Sequence, residues 1–171
     1  MVIAYAPFFK NDLEVLNYAL TLEHLEDNFY RTVNASGKLQ GNAAKYLAII
    51  GAHEKAHVDA LTAAIKQAGG NPVAELPRYN FAPLGDITTQ DGILKIAGVL
   101  EPTGVKAYDG AAREIQDKKI LAVAGQIVQV EARHAAIIRV LVNPNANPVP
   151  KSFEDKATPQ EIIAAITPII S

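Results

Sequence analysis

Two copies of the tetrad Glu-x-x-His constrain this chain more strongly than any other feature of its sequence. One copy runs from Glu54 to His57, and the other runs from Glu131 to His134. Residues three apart lie on the same face of an α-helix, so each tetrad directs one carboxylate and one imidazole toward the same neighbour. These groups suit Fe, Mn or Zn, and a carboxylate can bridge two ions. The tetrads therefore predict two helices that share a metal centre.

Apolar residues at helical spacing predict four long helices. These helices are expected over residues 10–33, 42–68, 88–115 and 119–142. Short loops join the first helix to the second and the third to the fourth, which predicts two antiparallel hairpins. The long segment between the hairpins predicts a crossover between parallel neighbouring helices. The predicted fold class is all-α, a ferritin-like four-helix bundle of two antiparallel hairpins with one long crossover.

The tail after the fourth helix is predicted to contain a loop, residues 143–156, and a short apolar helix from Thr158 to about Ile166. This helix is interpreted either as a lid packed on the bundle or as a contact between copies of the chain. A length of 171 residues suffices for one compact domain with its own core. We therefore predict a single domain over residues 1–171, with the bundle at about 10–142 and the C-terminal loop and helix at 143–171.

The other two helices must each contribute a carboxylate if the tetrads hold a metal pair. Glu101 is the acid available at mid-height of the third helix, whereas the first helix offers Glu23 and Glu26. An internal repeat distinguishes them, because Glu23 and Glu101 are 78 residues apart, close to the 77-residue offset of the tetrads. The counterpart of Glu26 is Gly104, which carries no carboxylate. The repeat therefore favours Glu23 over Glu26.

The same repeat pairs Tyr30 with Tyr108, which follow Glu23 and Glu101 by seven residues. Two turns of helix place each tyrosine on nearly the same face as the glutamate of its own helix. We predict that each phenol hydrogen-bonds a metal-binding carboxylate of a neighbouring helix, which makes both tyrosines candidate catalytic residues. The alternative is a core tyrosine whose hydroxyl reaches water.

Charge supports a metal-binding interpretation of these residues. Four carboxylates about 5 Å apart in an apolar bundle would repel by about 3 kcal/mol per pair at an effective dielectric of 20. Two divalent ions would neutralise them. The chain contains no cysteine, which excludes thiolate metal sites, disulfides and iron–sulfur clusters. Two metal ions are predicted, and the predicted ligands are Glu23, Glu54, His57, Glu101, Glu131 and His134.

Local sequence motifs resemble a known family over about residues 10–142. The motifs are LNYALTLEHLEDNFY at 16–30, HEKAH at 53–57, GVKAYDGAA at 104–112 and VEARHAAIIRVL at 130–141. They are similar to the bacterial ferritin-like domain family that also includes plant desiccation-related proteins. The resemblance implies a ferritin-like bundle with a di-iron or di-manganese carboxylate centre, and it is far less specific for a reaction.

Pro102 departs from that family, which usually has an acidic residue at this position. Proline lacks an N–H group and its ring presses on the carbonyl four residues back, here that of Gly98. We predict a kink or a π-bulge in the third helix beside the metals. The alternative is a helix that begins near Glu101. Other polar residues near the ligands are expected at the surface, namely His24, His53, Lys55 and Arg133.

The predicted function is that of a di-metal carboxylate protein that reacts with O₂ or peroxide, with two iron ions as the favoured cofactor and manganese as the alternative. It would act as a ferroxidase, as a peroxide scavenger or as an oxidase of a small organic substrate, with Fe(II) as a further candidate substrate. The same six ligands also resemble those of manganese catalase, which makes a di-manganese peroxide dismutase the alternative enzyme. A stress-related bundle whose metals only stabilise the core is the non-enzymatic alternative, and the sequence leaves open whether the chain is an enzyme.

Composition limits the partners. The net charge is -2 with no basic stripe, which argues against nucleic acid. No apolar run reaches the roughly 18 residues that span a bilayer, so no membrane partner is expected. The N-terminus lacks the basic region of a signal peptide, so a cytoplasmic location is the default expectation and an exported mature form the alternative. A homodimer is compatible with the tail.

Overall fold

Apolar residues at helical spacing fold into α-helices along most of the described part of the chain. The computed structural model describes residues 7–170, and in this range the chain forms five α-helices, one short 3-10 helix and no strand. The α-helices are α1 (Asp12–Ala35), α2 (Gly41–Gln67), α3 (Gln90–Ala111), α4 (Lys118–Val142) and α5 (Pro159–Ile170), and the 3-10 helix is Ala112–Glu114. This all-helical architecture confirms the predicted fold class. Among these helices, none combines the length and apolar character required to cross a membrane.

Three of the long helices begin at a side chain that accepts a hydrogen bond from the first turn. Asn11 accepts from the Glu14 N–H at 3.1 Å, and Thr89 accepts from the Gly92 N–H at 3.1 Å. Asp117 accepts from the N–H of Lys119 at 2.7 Å. Such caps satisfy backbone donors that have no partner inside the helix, and they account for where these helices begin.

Every pair of neighbouring helices in the bundle is antiparallel. On the α2–α4 face, for example, His53 contacts His134 and His57 contacts Glu131, so the residue order reverses across the pair. The same reversal holds for α1 with α2, α3 with α4 and α1 with α3. Consequently α2 and α3 run parallel, as predicted, but they occupy diagonal corners. The prediction that they are neighbours was wrong, because each face of the bundle is formed by an antiparallel pair.

The crossover between α2 and α3 runs along the outside of α1. Asn17 accepts a hydrogen bond from the Val73 N–H at 2.7 Å, and Asn28 donates to Glu75 at 2.9 Å. His24 also lies 3.2 Å from the Val73 carbonyl, so this half-buried side chain contacts the crossover instead of facing only water. These contacts give the long connection a fixed course.

The C-terminal helix α5 packs on the bundle through three buried isoleucines, Ile162, Ile166 and Ile169. The Ala157 N–H just before it donates to the Lys106 carbonyl of α3 at 3.2 Å. Helix α5 is thus a lid within the chain, as in the first of the two sequence interpretations. It also extends to Ile170, beyond the predicted end near Ile166.

Helix α3 remains α-helical from Gln90 to Ala111, including Pro102, and the predicted kink stays a prediction. The predicted π-bulge is absent from this helix, and the alternative in which the helix begins near Glu101 is also wrong. The hydrogen bond that proline cannot donate would have gone to the carbonyl of Gly98, an exposed residue. Water can satisfy that carbonyl, so a local rearrangement of the helix is not required.

Two apolar clusters fill the bundle above and below its middle layer. One cluster includes Phe29, Leu47, Ile96 and Ile138, and the other includes Leu16, Leu61, Ile65 and Ile127. The buried acids and histidines lie between them. The site is therefore enclosed at both ends by residues that exclude water.

Candidate metal centre

All six predicted ligands meet in the middle layer of the bundle. Each of the four glutamates is 0% exposed, and the histidines are 8% and 2% exposed. Potential ligand atoms form two groups, each within a span of 4.8 Å. The first group contains Glu23, Glu54, His57 and Glu131, and the second contains Glu54, Glu101, Glu131 and His134. Each group could hold one ion.

His57 presents its Nδ1 atom to three carboxylates. The Nδ1 atom lies 3.0 Å from Glu131 Oε1, 3.2 Å from Glu54 Oε2 and 3.3 Å from Glu23 Oε2. These carboxylates come from α4, α2 and α1, so the first group joins three helices.

His134 repeats this arrangement at the second group. Its Nδ1 atom lies 2.9 Å from Glu54 Oε1, 3.3 Å from Glu101 Oε2 and 3.8 Å from Glu131 Oε2. Glu54 and Glu131 thus direct one oxygen to each group, which is the arrangement of bridging carboxylates. Glu23 and Glu101 belong to one group each.

Two buried tyrosines orient the carboxylates that are not shared. The Tyr30 hydroxyl donates to Glu101 Oε1, and the Tyr108 hydroxyl donates to Glu23 Oε1. Each bond joins α1 to α3, as expected from the sequence repeat. Since one oxygen of each glutamate accepts from tyrosine, the other is left to face the cluster.

Several buried polar atoms of the cluster make no hydrogen bond of acceptable geometry in the described part of the chain, although imidazole and carboxylate atoms lie close together there. They are Glu23 Oε2, Glu54 Oε1, Glu101 Oε2, both carboxylate oxygens of Glu131, and His134 Nδ1. Buried polar atoms are normally satisfied, and unsatisfied ones call for a partner. All of these atoms can coordinate a cation, and they converge on the two groups. The residues therefore fit a pair of metal ions.

The electrostatics of the cluster also favour positive charge. Burial raises the pKa of Glu54 well above its usual range, and the negative charge of Glu131 raises it further. Burial also raises the pKa of Glu101 to about 7. For His57 and His134, burial disfavours the charged form, but the surrounding carboxylates outweigh it and raise the pKa of both imidazoles to about 12. Without metal, the site therefore retains protons.

The sequence profile of the ferritin-like domain family matches residues 11–144. The chain belongs to the ferritin-like domain family. Its fold is also similar to the crystal structure of a hypothetical protein from Methanococcus jannaschii DSM 2661, with a TM-score of 0.69 and 15% sequence identity over 100% of both chains. At that identity the similarity concerns the fold alone. No protein of curated function is significantly similar to the chain in sequence.

The ferritin-like domain has a polar contact outside the cluster that the sequence analysis missed. His53 is exposed, as predicted, yet its Nδ1 atom lies 2.9 Å from the Nε2 atom of His134. It lines a cavity of about 340 Å³ on the α2–α4 face, together with both histidines of the cluster. Its counterpart at the tetrad offset is Val130, so within residues 7–170 His57 has no histidine partner equivalent to His53. The difference between His53 and Val130 was therefore the signal in the sequence that could have indicated this contact.

A second missed feature is Glu26, which the repeat ranked below Glu23. Glu26 is only 3% exposed and lies one turn after Glu23 on α1. It is not a member of either four-residue group. The domain therefore buries a fifth carboxylate beside the four predicted ones. Lys55 and Arg133 are exposed, as predicted.

Proposed function

We propose that this ferritin-like domain binds two iron ions and reacts with O₂ or peroxide, either as a ferroxidase and peroxide scavenger or as an oxidase of a small substrate. The supporting observation is the pair of four-residue groups that share Glu54 and Glu131. Two ions held by shared carboxylates are close enough to act on one diatomic molecule. Two bound metal ions of this kind would supply redox chemistry with O₂ or peroxide.

The chain's own residues would serve that chemistry in three ways. Glu54 and Glu131 would hold both ions and balance their charge, while Glu23 and Glu101 would each complete one group. Tyr30 and Tyr108 fix the orientation of the latter two carboxylates through their hydroxyl groups. The apolar clusters on both sides would restrict water at the site, which strengthens every electrostatic contact within it.

Metal analysis tests the first part of the proposal. After expression in iron-replete and in manganese-replete medium, the purified protein is expected to contain two ions per chain, with iron preferred. A protein that contains no metal, and whose stability is unchanged by a strong chelator, would contradict the metal pair. Two manganese ions together with disproportionation of hydrogen peroxide would support the catalase-like alternative.

Reactivity tests the second part. The metal-free protein loaded with Fe(II) under anaerobic conditions is expected to consume O₂ or hydrogen peroxide faster than free Fe(II) at equal concentration. Fe(III) formation would be followed by absorption. If the protein binds two ions and neither oxidant is consumed faster than in the control, the non-enzymatic alternative is favoured, in which the metals stabilise the bundle.

The contact between His53 and His134 supports a further prediction about the two metal ions. If His134 Nδ1 binds an ion, its Nε2 carries the proton and donates to His53 Nδ1, which fixes the tautomer. Replacing His53 with valine, the residue at its counterpart position Val130, is expected to weaken one of two Mn(II) binding events by about tenfold. Calorimetric titration measures both events.

The matched control for His53→Val is His24→Val. His24 is likewise adjacent in sequence to a predicted ligand, Glu23, and among its described hydrogen bonds it contacts only a backbone carbonyl of the crossover. It is expected to leave both Mn(II) affinities unchanged. Equal affinities in the His53 variant and the unmodified protein would show that the His53 contact does not support metal binding.

A further inference from the structure

Glu26 is a further buried carboxylate, and it lies beside the four predicted ones. Within residues 7–170 no side chain or backbone N–H donates a hydrogen bond to it, and no basic group pairs with it. At 3% exposure Glu26 has little contact with water. Its carboxyl group is therefore available to a ligand other than residues 7–170.

Its surroundings leave little room for water. Glu26 lines a cavity of about 10 Å³ with Leu22, Leu25, Leu100, Thr103, Gly104 and Ile166. Such a volume holds at most one water molecule. The Thr103 hydroxyl already donates to the Val99 carbonyl at 2.8 Å, and Ile166 of the lid helix α5 adds an apolar wall.

The carboxylate instead faces the second ligand group across Gly104. A Cβ atom at Gly104 would lie 3.3 and 3.4 Å from the two oxygens of Glu26, and 3.5 Å from Glu131 Oε2. Glu131 Oε2 is itself a buried acceptor without a partner. The absent side chain of Gly104 thus leaves a space between Glu26 and the unsatisfied carboxylate of Glu131.

We infer that Glu26 is a seventh ligand of the metal pair, and that it binds the ion held by Glu101, Glu131 and His134. The inference rests on the metal pair proposed above. The oxygens of Glu26 lie outside the 4.8 Å span of that group, so the side chain rotates toward it through the space at Gly104. A cation in this space would bind an oxygen of Glu26 and Glu131 Oε2 together, and the experiments below distinguish it from a proton shared between the two carboxyl groups.

A Co(II) titration of the full chain tests the inference without reference to activity. Replacement of Glu26 by glutamine keeps the shape of the side chain and removes a negative ligand. We expect Glu26→Gln to bind one of its two Co(II) ions at least about tenfold more weakly than the unmodified protein. The visible absorption of that ion is expected to become stronger, because Co(II) absorbs more strongly at lower coordination number.

The matched control is Asp27→Asn, which changes the adjacent buried acid of the same helix. Asp27 pairs with Arg31 at 3.1 Å and is in neither ligand group. Its variant is expected to bind both Co(II) ions with unchanged affinity and spectrum. If Glu26→Gln matches this control, the inference is overturned while the metal pair stands. If the unmodified protein binds no Co(II), the pair itself is overturned and the inference with it.

A second variant tests the route of rotation. Gly104→Ala fills the space between Glu26 and Glu131, and it is expected to reproduce the loss seen in Glu26→Gln. Gly125→Ala is its control, because a Cβ atom at that helical position would meet nothing within 4 Å. Circular dichroism verifies the fold of each variant. Unchanged Co(II) affinity in Gly104→Ala would overturn the assignment of Glu26 as a ligand that moves through this space.

Discussion

Replacement of Glu54 by alanine is expected to abolish binding of both metal ions. Glu54 directs one oxygen to each ligand group, lying 3.2 Å from His57 Nδ1 and 2.9 Å from His134 Nδ1. One substitution thus removes a ligand from both sites, and each affinity is expected to fall by more than about 100-fold, beyond the loss typical of residues that only support a ligand. Metal content after dialysis, measured by mass spectrometry of the elements, checks the result.

The comparison variants make this prediction specific. Glu23→Ala and Glu101→Ala each remove a ligand from one group only, so each is expected to retain one ion per chain. Glu75→Ala changes a glutamate of the crossover and should retain two. Glu54→Gln keeps the shape of the side chain and serves as a control for folding. Equal metal content in the Glu54 and Glu23 variants would contradict a bridging role for Glu54.

Removal of the metal is expected to destabilise the bundle, and more strongly at high pH than at low pH. In the metal-free protein, burial raises the pKa of Glu101 from 4.5 to about 7. The folded state then binds more protons than the unfolded state between these values, so stability falls as the pH rises through this range. The shift corresponds to about 3 kcal/mol, or roughly 10 °C in Tm for a chain of this size.

The other ligands act in the same direction or outside this window. The pKa of Glu54 is also raised, so its contribution to stability has the same sign. The pKa of His57 and His134 is raised from 6.5 to about 12, so their contribution is complete below pH 6.5 and is lost progressively between pH 6.5 and about 12. Burial would raise the pKa of Glu131, but contacts with the imidazoles outweigh it and lower the value. Its contribution is therefore lost only below about pH 4.5.

Thermal unfolding with Mn(II) or with chelator, at several pH values from 5 to 8, measures this effect. Metal replaces the protons and binds the deprotonated ligands, so the difference in Tm between the two conditions is expected to grow with pH. The Glu101→Gln variant is the control, because a neutral amide should flatten the pH dependence of the metal-free protein. A metal-free protein that is more stable at pH 8 than at pH 5 would contradict the prediction.

Much of this architecture was predictable because its signals are local or periodic. Helix bounds followed from apolar spacing and from residues such as Thr89 that end the preceding loop. Glu23 was chosen because its separation from Glu101, 78 residues, nearly equals the 77-residue separation of the two tetrads. The structure brings Glu23 and the other five predicted ligands together, and their role in binding metal remains a prediction.

The features that sequence analysis missed depend on contacts between distant segments. His53 is one residue from a ligand and was expected to face away from the cluster, but α4 passes close enough for it to contact His134. Glu26 ranked below Glu23 because its counterpart is Gly104, yet a Cβ atom at Gly104 would lie 3.3 Å from Glu26 Oε1. The placement of α2 and α3 at diagonal corners also follows from packing, which hydrophobic periodicity does not specify.

The sharing of ligands between the two hairpins has a consequence for the order of assembly. Neither hairpin alone supplies a complete ligand group, since each group takes residues from both of them. A metal pair would therefore be bound only after the hairpins had docked, and each bound ion would then cross-link them. In a chain without cysteine, two such cross-links would tie together segments far apart in sequence, as disulfides do in other small domains, and they would be reversible by chelation.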